Sequence, residues 1–414
     1  MSYKTTQDAR PAQVDHHWLI ERRLRVYPRI LLVMFVLAVP AYALTFQNGL
    51  DPRGRPVGTD FIAFWSAARV TIADNAVDPW NLAELAGYQR TLFPGLAGPT
   101  AWVYPPTMLL LVLPLGYLGF TAAFVAWTVF GLAAFLGTLS FVVRGYRHAW
   151  PLILAFPGLW LGIAHGQTQF VVAALMGGAL LLLGRNPVLA GVLIGLMAVK
   201  PHLAILFPVV LIAGGQWRAF AAAAVTAIGA FAAGVLTFGT GSIGDWLDGM
   251  GLVGAAIDAD ALPVYKFVTP YTTFRLLGVP ELTALTLHMT VAVPVVLLTW
   301  KLWRKTSDVR VRGAAVLVAT FLVTPYAADY DLVVLAFPIA WMALTGLQHG
   351  WLRGDRNLLV LAWVLPWMTA PVAVLTHLGI TPIILCLLLR QLWLRSAVTT
   401  PEQRGAALQR PGGT

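Results

Sequence analysis

Of 414 residues, 58% are hydrophobic and 11% are charged, against roughly 25% charged residues in a soluble domain, so a water-soluble globule is excluded. The formal charge of +10 comes from short basic clusters set between apolar runs, which is a topology signal and not a nucleic-acid surface. The one cysteine, Cys386, rules out an intrachain disulfide and a cysteine-rich metal site.

The apolar runs are about 15 to 22 residues long, close to what is needed to cross ~30 Å of hydrocarbon at 1.5 Å per residue. They lack the alternation of a barrel strand, so the predicted spanning elements are helices that satisfy their own backbone in lipid. The pattern predicts an all-α polytopic membrane protein with about 12 transmembrane helices. A single transmembrane domain, 27–397, lies between a cytoplasmic N-terminal segment, 1–26, and a disordered cytoplasmic tail, 398–414.

In chain order, a basic stretch (Arg22, Arg23, Arg25, Arg29) precedes an apolar run and Ala41-Tyr42-Ala43. That order resembles a cleavable leader, but the long polar segment ahead of it reads better as a cytoplasmic flank of a first anchor at 27–46. Further spans are predicted near 120–141, 149–164, 168–184, 187–200, 202–214, 217–238, 281–300, 311–324, 330–347, 357–377 and 380–396. With the N-terminus inside, 21 of the 28 Lys and Arg residues fall on the cytoplasmic side, as the positive-inside rule requires of a plasma-membrane protein with both termini cytoplasmic. By the same topology, 12 of the 18 Asp and Glu residues fall outside, so the outer face is where carboxylate chemistry is expected.

Two outer segments, 47–119 and 239–280, are too long to be plain connectors. The first predicts amphipathic helices on the membrane surface near 60–72 and 80–92, followed by a re-entrant or partly inserted helix up to Leu118.

Asp60 follows Gly58-Thr59 at the start of an apolar-periodic helix. Its carboxylate reads either as a helix cap facing unpaired N–H groups or as a general base whose pKa is raised by Phe61, Phe64 and Trp65. Lys200, followed by helix-breaking Pro201 and then His202, costs on the order of 3 kcal/mol at membrane depth and calls for an anion unless it snorkels to the headgroups. His165-Gly166-Gln167 forms a polar knot between apolar helices, either a hydrogen-bonding turn or a holder of sugar and phosphate oxygens. The late turn Thr324-Pro325-Tyr326-Ala327-Ala328-Asp329-Tyr330-Asp331 adds two carboxylates and two phenols. Those carboxylates suit supporting roles, helix caps or a hard cation such as Mg²⁺ or Ca²⁺. No cofactor is called for, since there is no Walker-type phosphate loop, no His-Glu-x-x-His zinc pair and no soluble nucleotide domain.

Six short motifs occur in order: Asp60-Phe61 with Ala67-Ala68, Asp78-Pro79-Trp80, Tyr104-Pro105-Pro106, Gly166-Gln167, Lys200-Pro201 and Thr324-Pro325-Tyr326. Together they resemble the GT-C superfamily of membrane glycosyltransferases, and within it glycosyltransferase family 87, which includes polyprenyl-phosphomannose-dependent mannosyltransferases. The chain departs from the family at Trp80, where Tyr is usual, and at Asp329-Tyr330, where a His- or Trp-containing stretch is usual.

The resemblance implies a GT-C fold and a catalytic base on the first outer loop, carried here by Asp60. It implies transfer of a single hexose, mannose foremost, or a pentose from a polyprenyl-phosphate donor to a lipid-linked or cell-envelope glycan outside the membrane, with inversion. A departing phosphate needs a cation, for which Lys200 stands first and His165 and Arg275 are alternates. Gln167, Tyr104 and His202 are placed on the donor, and Tyr326, Asp329, Tyr330 and Asp331 beside it or facing the acceptor. A polytopic transporter or lipid-glycan flippase is the competing reading, although the two halves of the chain do not match as transporter repeats often do.

Overall fold

The structure is a computed structural model that describes residues 18–19, 21–73, 77–258 and 262–397. The expected disordered tail, most of the N-terminal segment and the carboxylates Asp74 and Asp260, expected on the outer side, lie outside the described residues. Within them the chain is helical throughout, with no strand and three isolated bridges between loops.

The helices are α1 (Glu21–Ala43), α2 (Phe61–Ile72), α3 (Leu82–Leu92), α4 (Pro106–Val112), α5 (Phe120–Val142), α6 (Trp150–Leu154), α7 (Pro157–His165), α8 (Gln169–Leu182) and α9 (Pro187–Gly195). They continue as α10 (Leu206–Ala213), α11 (Trp217–Phe238), α12 (Gly241–Asp258), α13 (Pro270–Leu276), α14 (Glu281–Lys305), α15 (Val309–Val323), α16 (Ala336–His349), α17 (Asp355–Thr376) and α18 (Thr381–Ala397).

All twelve apolar segments read from the sequence are helical, but among the described residues six helices are long and apolar enough to cross a membrane: α1, α5, α11, α14, α17 and the run Asp329–His349 that ends in α16. Several of the others are interrupted. Pro157 begins α7 directly after α6, and the 3₁₀ turns Leu196–Val199 and Pro201–Ala204 separate α9 from α10 around Lys200. A proline has no N–H to continue the ladder, so each break falls where one would have interrupted a continuous helix. Short pieces are tolerated because they are enclosed by protein and not by lipid. Twelve of the fifteen residues of α15 and nine of the fourteen of α8 are buried. By contrast α1 and α11 turn Leu37, Val225, Ile228 and Leu236 outward, the apolar surface a bilayer would cover.

Close packing of α9 on α11 uses small residues at i and i+4. A Cβ on Gly191 would stand 2.3 Å from the Ala219 carbonyl oxygen, and one on Gly195 would stand 2.6 Å from that of Ala223. Backbones approach this closely only where side chains are absent.

The segment 47–119 differs from its expectation. Nine of the twelve residues of α2 are buried, so it is an internal helix and not an amphipathic one on the membrane surface. The reason is enclosure on every side: α4, the 3₁₀ turn Leu113–Tyr117 and α5 pack around it, with Phe61 and Phe64 against Phe120, Phe124, Trp102 and Trp127. Helix α3 does show one stripe, burying Leu85 and Gln89. The stretch 106–117 is a seven-residue α-helix followed by a 3₁₀ turn, too short at 1.5 to 2.0 Å per residue to cross ~30 Å. Residues of α2 to α5, with Val171 and Val199, make one apolar cluster and those of α5, α7 to α11 and α14 to α18 make another.

Candidate functional site

The site begins with two glycines. Gly58 and Gly166 both have left-handed backbones, φ +63° and +66°, a region open to glycine at little cost. Both press on the same rings: an added Cβ would lie 2.3 Å from Phe124 at Gly58, and 2.8 Å from Phe61 and 2.9 Å from Phe124 at Gly166. The two loops are thereby laid together, and their backbones bond directly, Thr59 N–H to the Ala164 carbonyl (3.2 Å) and Asp60 N–H to that of His165 (3.1 Å). Gly166→Ala is expected to lower both activity and thermal stability, through αL strain of about 1 kcal/mol and overpacking of about 1–3 kcal/mol. A thermal melt in detergent checks it, and an unchanged midpoint would sink the idea.

Asp60 occupies the N-cap position of α2, yet its side chain makes no capping hydrogen bond. The carboxylate turns instead into the site. Oδ2 accepts from the Gln167 amide at 3.1 Å and lies 3.4 Å from His165 Nδ1, while Oδ1 accepts from the Thr59 hydroxyl at 3.1 Å. The side chain keeps 23% exposure, so it is open to a substrate. Burial pushes its pKa up, but the hydrogen bond and charge of His165, the charge of Lys266 and the Gln167 amide outweigh that and hold it below the ordinary carboxylate value. The expectation of a raised pKa is therefore corrected: neighbouring donors and cations outweigh the desolvation by Phe61, Phe64 and Trp65.

Gln167 is fixed from both ends. Its side-chain oxygen accepts from Tyr104 Oη at 2.6 Å and its carbonyl from Trp127 Nε1 at 3.1 Å. Tyr104 stays a phenol, because burial and the charges of Asp60 and Asp331 push its pKa up.

On the other wall, Lys200 Nζ donates to Asp331 Oδ1 at 2.6 Å, and both side chains are buried. Asp331 Oδ2 also accepts from Ala328 N–H, and Asp329 Oδ1 from Tyr330 N–H. Tyr330 joins the walls, its ring 5.1 Å from that of His165 and 5.0 Å from Lys200 Nζ. Lys200 therefore meets its anion within the protein instead of snorkelling. His202 follows it within reach of its charge.

Asp60, Tyr104, His165, Gln167, Lys200, Asp329, Tyr330 and Asp331 thus share one site. Arg275 and Tyr326 stand in a neighbouring cluster around Tyr271, whose ring meets Tyr326 at 5.4 Å and which feels the charge of Arg275. Three members were not singled out from the sequence: Thr59, Trp127 and Lys266. Thr59 directly precedes Asp60, and Lys266 is a cation in a segment, 239–280, otherwise rich in carboxylates, which are the signals that were there to read. Among the described residues, no three His, Cys, Asp or Glu side chains converge as metal ligands.

The model of glycosyltransferase family 87 matches residues 102–325. No curated protein and no solved structure matches the chain. The matched span holds Tyr104, His165, Gln167, Lys200, His202, Lys266 and Arg275; Asp60 precedes it, and Tyr326 with the Asp329–Asp331 turn follows it. It covers more than half of the chain, and its polar residues line a site inside a helical bundle with an apolar exterior. The chain belongs to glycosyltransferase family 87.

Proposed function

We propose that this membrane glycosyltransferase moves a single sugar, a hexose such as mannose or a pentose, from a polyprenyl-phosphate donor to a lipid-linked or envelope glycan on the extracytoplasmic side. The observation that carries the proposal is the orientation of Asp60, which gives up its cap bond and presents a partly exposed, ionised carboxylate to a site walled by His165, Gln167 and Lys200. A sugar hydroxyl attacking an anomeric carbon must lose its proton as the bond forms, and a carboxylate in hydrogen-bond reach accepts it. One base and one displacement invert the anomeric centre. Tyr104 and Gln167 face the sugar, His165 orients and charges Asp60, and the isoprenoid tail lies between helices in the bilayer.

The test is the protein reconstituted in lipid with polyprenyl-monophosphate hexose, polyprenyl-monophosphate pentose or a pyrophosphate-linked oligosaccharide, with products read by mass spectrometry and anomeric configuration by NMR. Inverted product from one monophosphate donor is expected. Uptake or flipping without a new covalent product would instead make the protein a transporter.

The pH profile follows from the lowered pKa of Asp60. A base works ionised, and its activity is lost as pH falls through its pKa in the folded protein. The acid limb is therefore expected below the ordinary aspartate value of about 3.9. In His165→Gln the largest lowering influence is gone while burial remains, so the acid limb moves to higher pH. A limb that stays in place would remove His165 from this role.

A further inference from the structure

We infer that Lys266, and not Lys200, is the cation that receives the departing phosphate, an assignment that rests on the polyprenyl-phosphate reading above. The buried ammonium of Lys200 is already hydrogen-bonded to Asp331, and using it on a phosphate would leave a buried carboxylate without its partner. Lys266 has no such commitment: it is half-buried and, among the described residues, forms no ion pair.

Its place is set by the backbone. Lys266 ends the 3₁₀ turn Val264–Lys266 of the second outer segment. The residues after it are tied to the late turn, with Phe267 bridged antiparallel to Ala328, Val268 N–H bonded to the Ala327 carbonyl at 2.9 Å and the Thr269 hydroxyl to the Pro325 carbonyl at 2.7 Å. Continuing that antiparallel register by one residue sets Lys266 across from Asp329, the residue before Tyr330, whose ring touches both walls of the site. Half-buried at that position, its charge is near enough to act on Asp60 and on Asp329 alike. The carboxylates on which its charge acts, Asp60 and Asp329, also feel His165.

In the transfer step, the acceptor hydroxyl oxygen bonds to the anomeric carbon and its proton passes to Asp60. The bond between that carbon and the phosphate oxygen breaks, and its electron pair leaves with the polyprenyl phosphate. The phosphate goes from a diester with one negative charge to a monoester with two. A cation poised near the site but not already paired meets that extra charge without first giving up a partner.

The experiment uses the full-length protein in lipid nanodiscs and measures inhibition of transfer by added polyprenyl monophosphate, together with the turnover rate, for wild type, Lys266→Gln and Lys266→Arg. Loss of one charge-assisted hydrogen bond is expected to weaken inhibition by roughly tenfold or more in Lys266→Gln, with kcat reduced and largely restored in Lys266→Arg. Wild-type inhibition and turnover in Lys266→Gln would overturn the inference alone. A wild-type protein that neither uses the monophosphate donor nor is inhibited by polyprenyl monophosphate would overturn the functional reading and the inference with it.

Discussion

Asp60→Asn is expected to reduce sugar transfer by about 10²- to 10⁴-fold, the range attributed to a positioned general base, while expression, membrane insertion and thermal stability stay close to wild type. The amide keeps the shape of the carboxylate and removes its ability to take a proton. Stability should change little because Asp60 makes no capping hydrogen bond to α2, so helix capping of typically ~1 kcal/mol is not at stake. Its partners Gln167 and Thr59 carry hydroxyl and amide groups that can turn to meet the new side chain. Transfer rates in reconstituted membranes and melts in detergent separate the two roles. A variant that transfers sugar at the wild-type rate removes Asp60 as the base, and one that fails to fold returns it to a structural part.

The second large effect is on the other wall. Lys200→Met is expected to destabilise the protein by about 3–5 kcal/mol, because Asp331 is left charged and buried without its partner. Both side chains are almost fully enclosed, at 5% and 1% exposure, so water cannot take over the interaction. Asp331→Asn should have a comparable effect by stranding the ammonium. The pair Lys200→Met with Asp331→Leu is expected to recover much of the loss, since an apolar pair of similar volume removes both charges at once. Melting midpoints of the two single variants and the double variant give the coupling, and strictly additive losses would show that the two residues do not act as a pair.

The sequence by itself determined the class of protein. Hydropathy and helix-breaking prolines are local properties, so the helical, lipid-facing character of the chain and the break at Pro201 follow from residues near one another, whereas the break at Pro157 lies inside what is expected to be one span, 149–164. The ordered short motifs likewise led to the family that the match over residues 102–325 then established. Local reading also singled out Asp60, His165, Gln167 and Lys200, because polar groups between apolar helices stand out wherever the chain places them.

Only the tertiary structure decided what these residues do to one another. Asp60 meets Gln167 from 107 residues away, Lys200 meets Asp331 from 131 residues away, and Lys266 is aligned with Asp329 by a bridge between two loops. Enclosure turned α2 from an expected surface helix into a buried one, and the distant partners His165, Lys266 and Gln167 set the pKa of Asp60 below, and not above, its ordinary value. The physical reason is common to all of these: periodicity says which face of a helix is apolar, whereas electrostatics and enclosure depend on which distant helix ends arrive at the same point, and packing decides that.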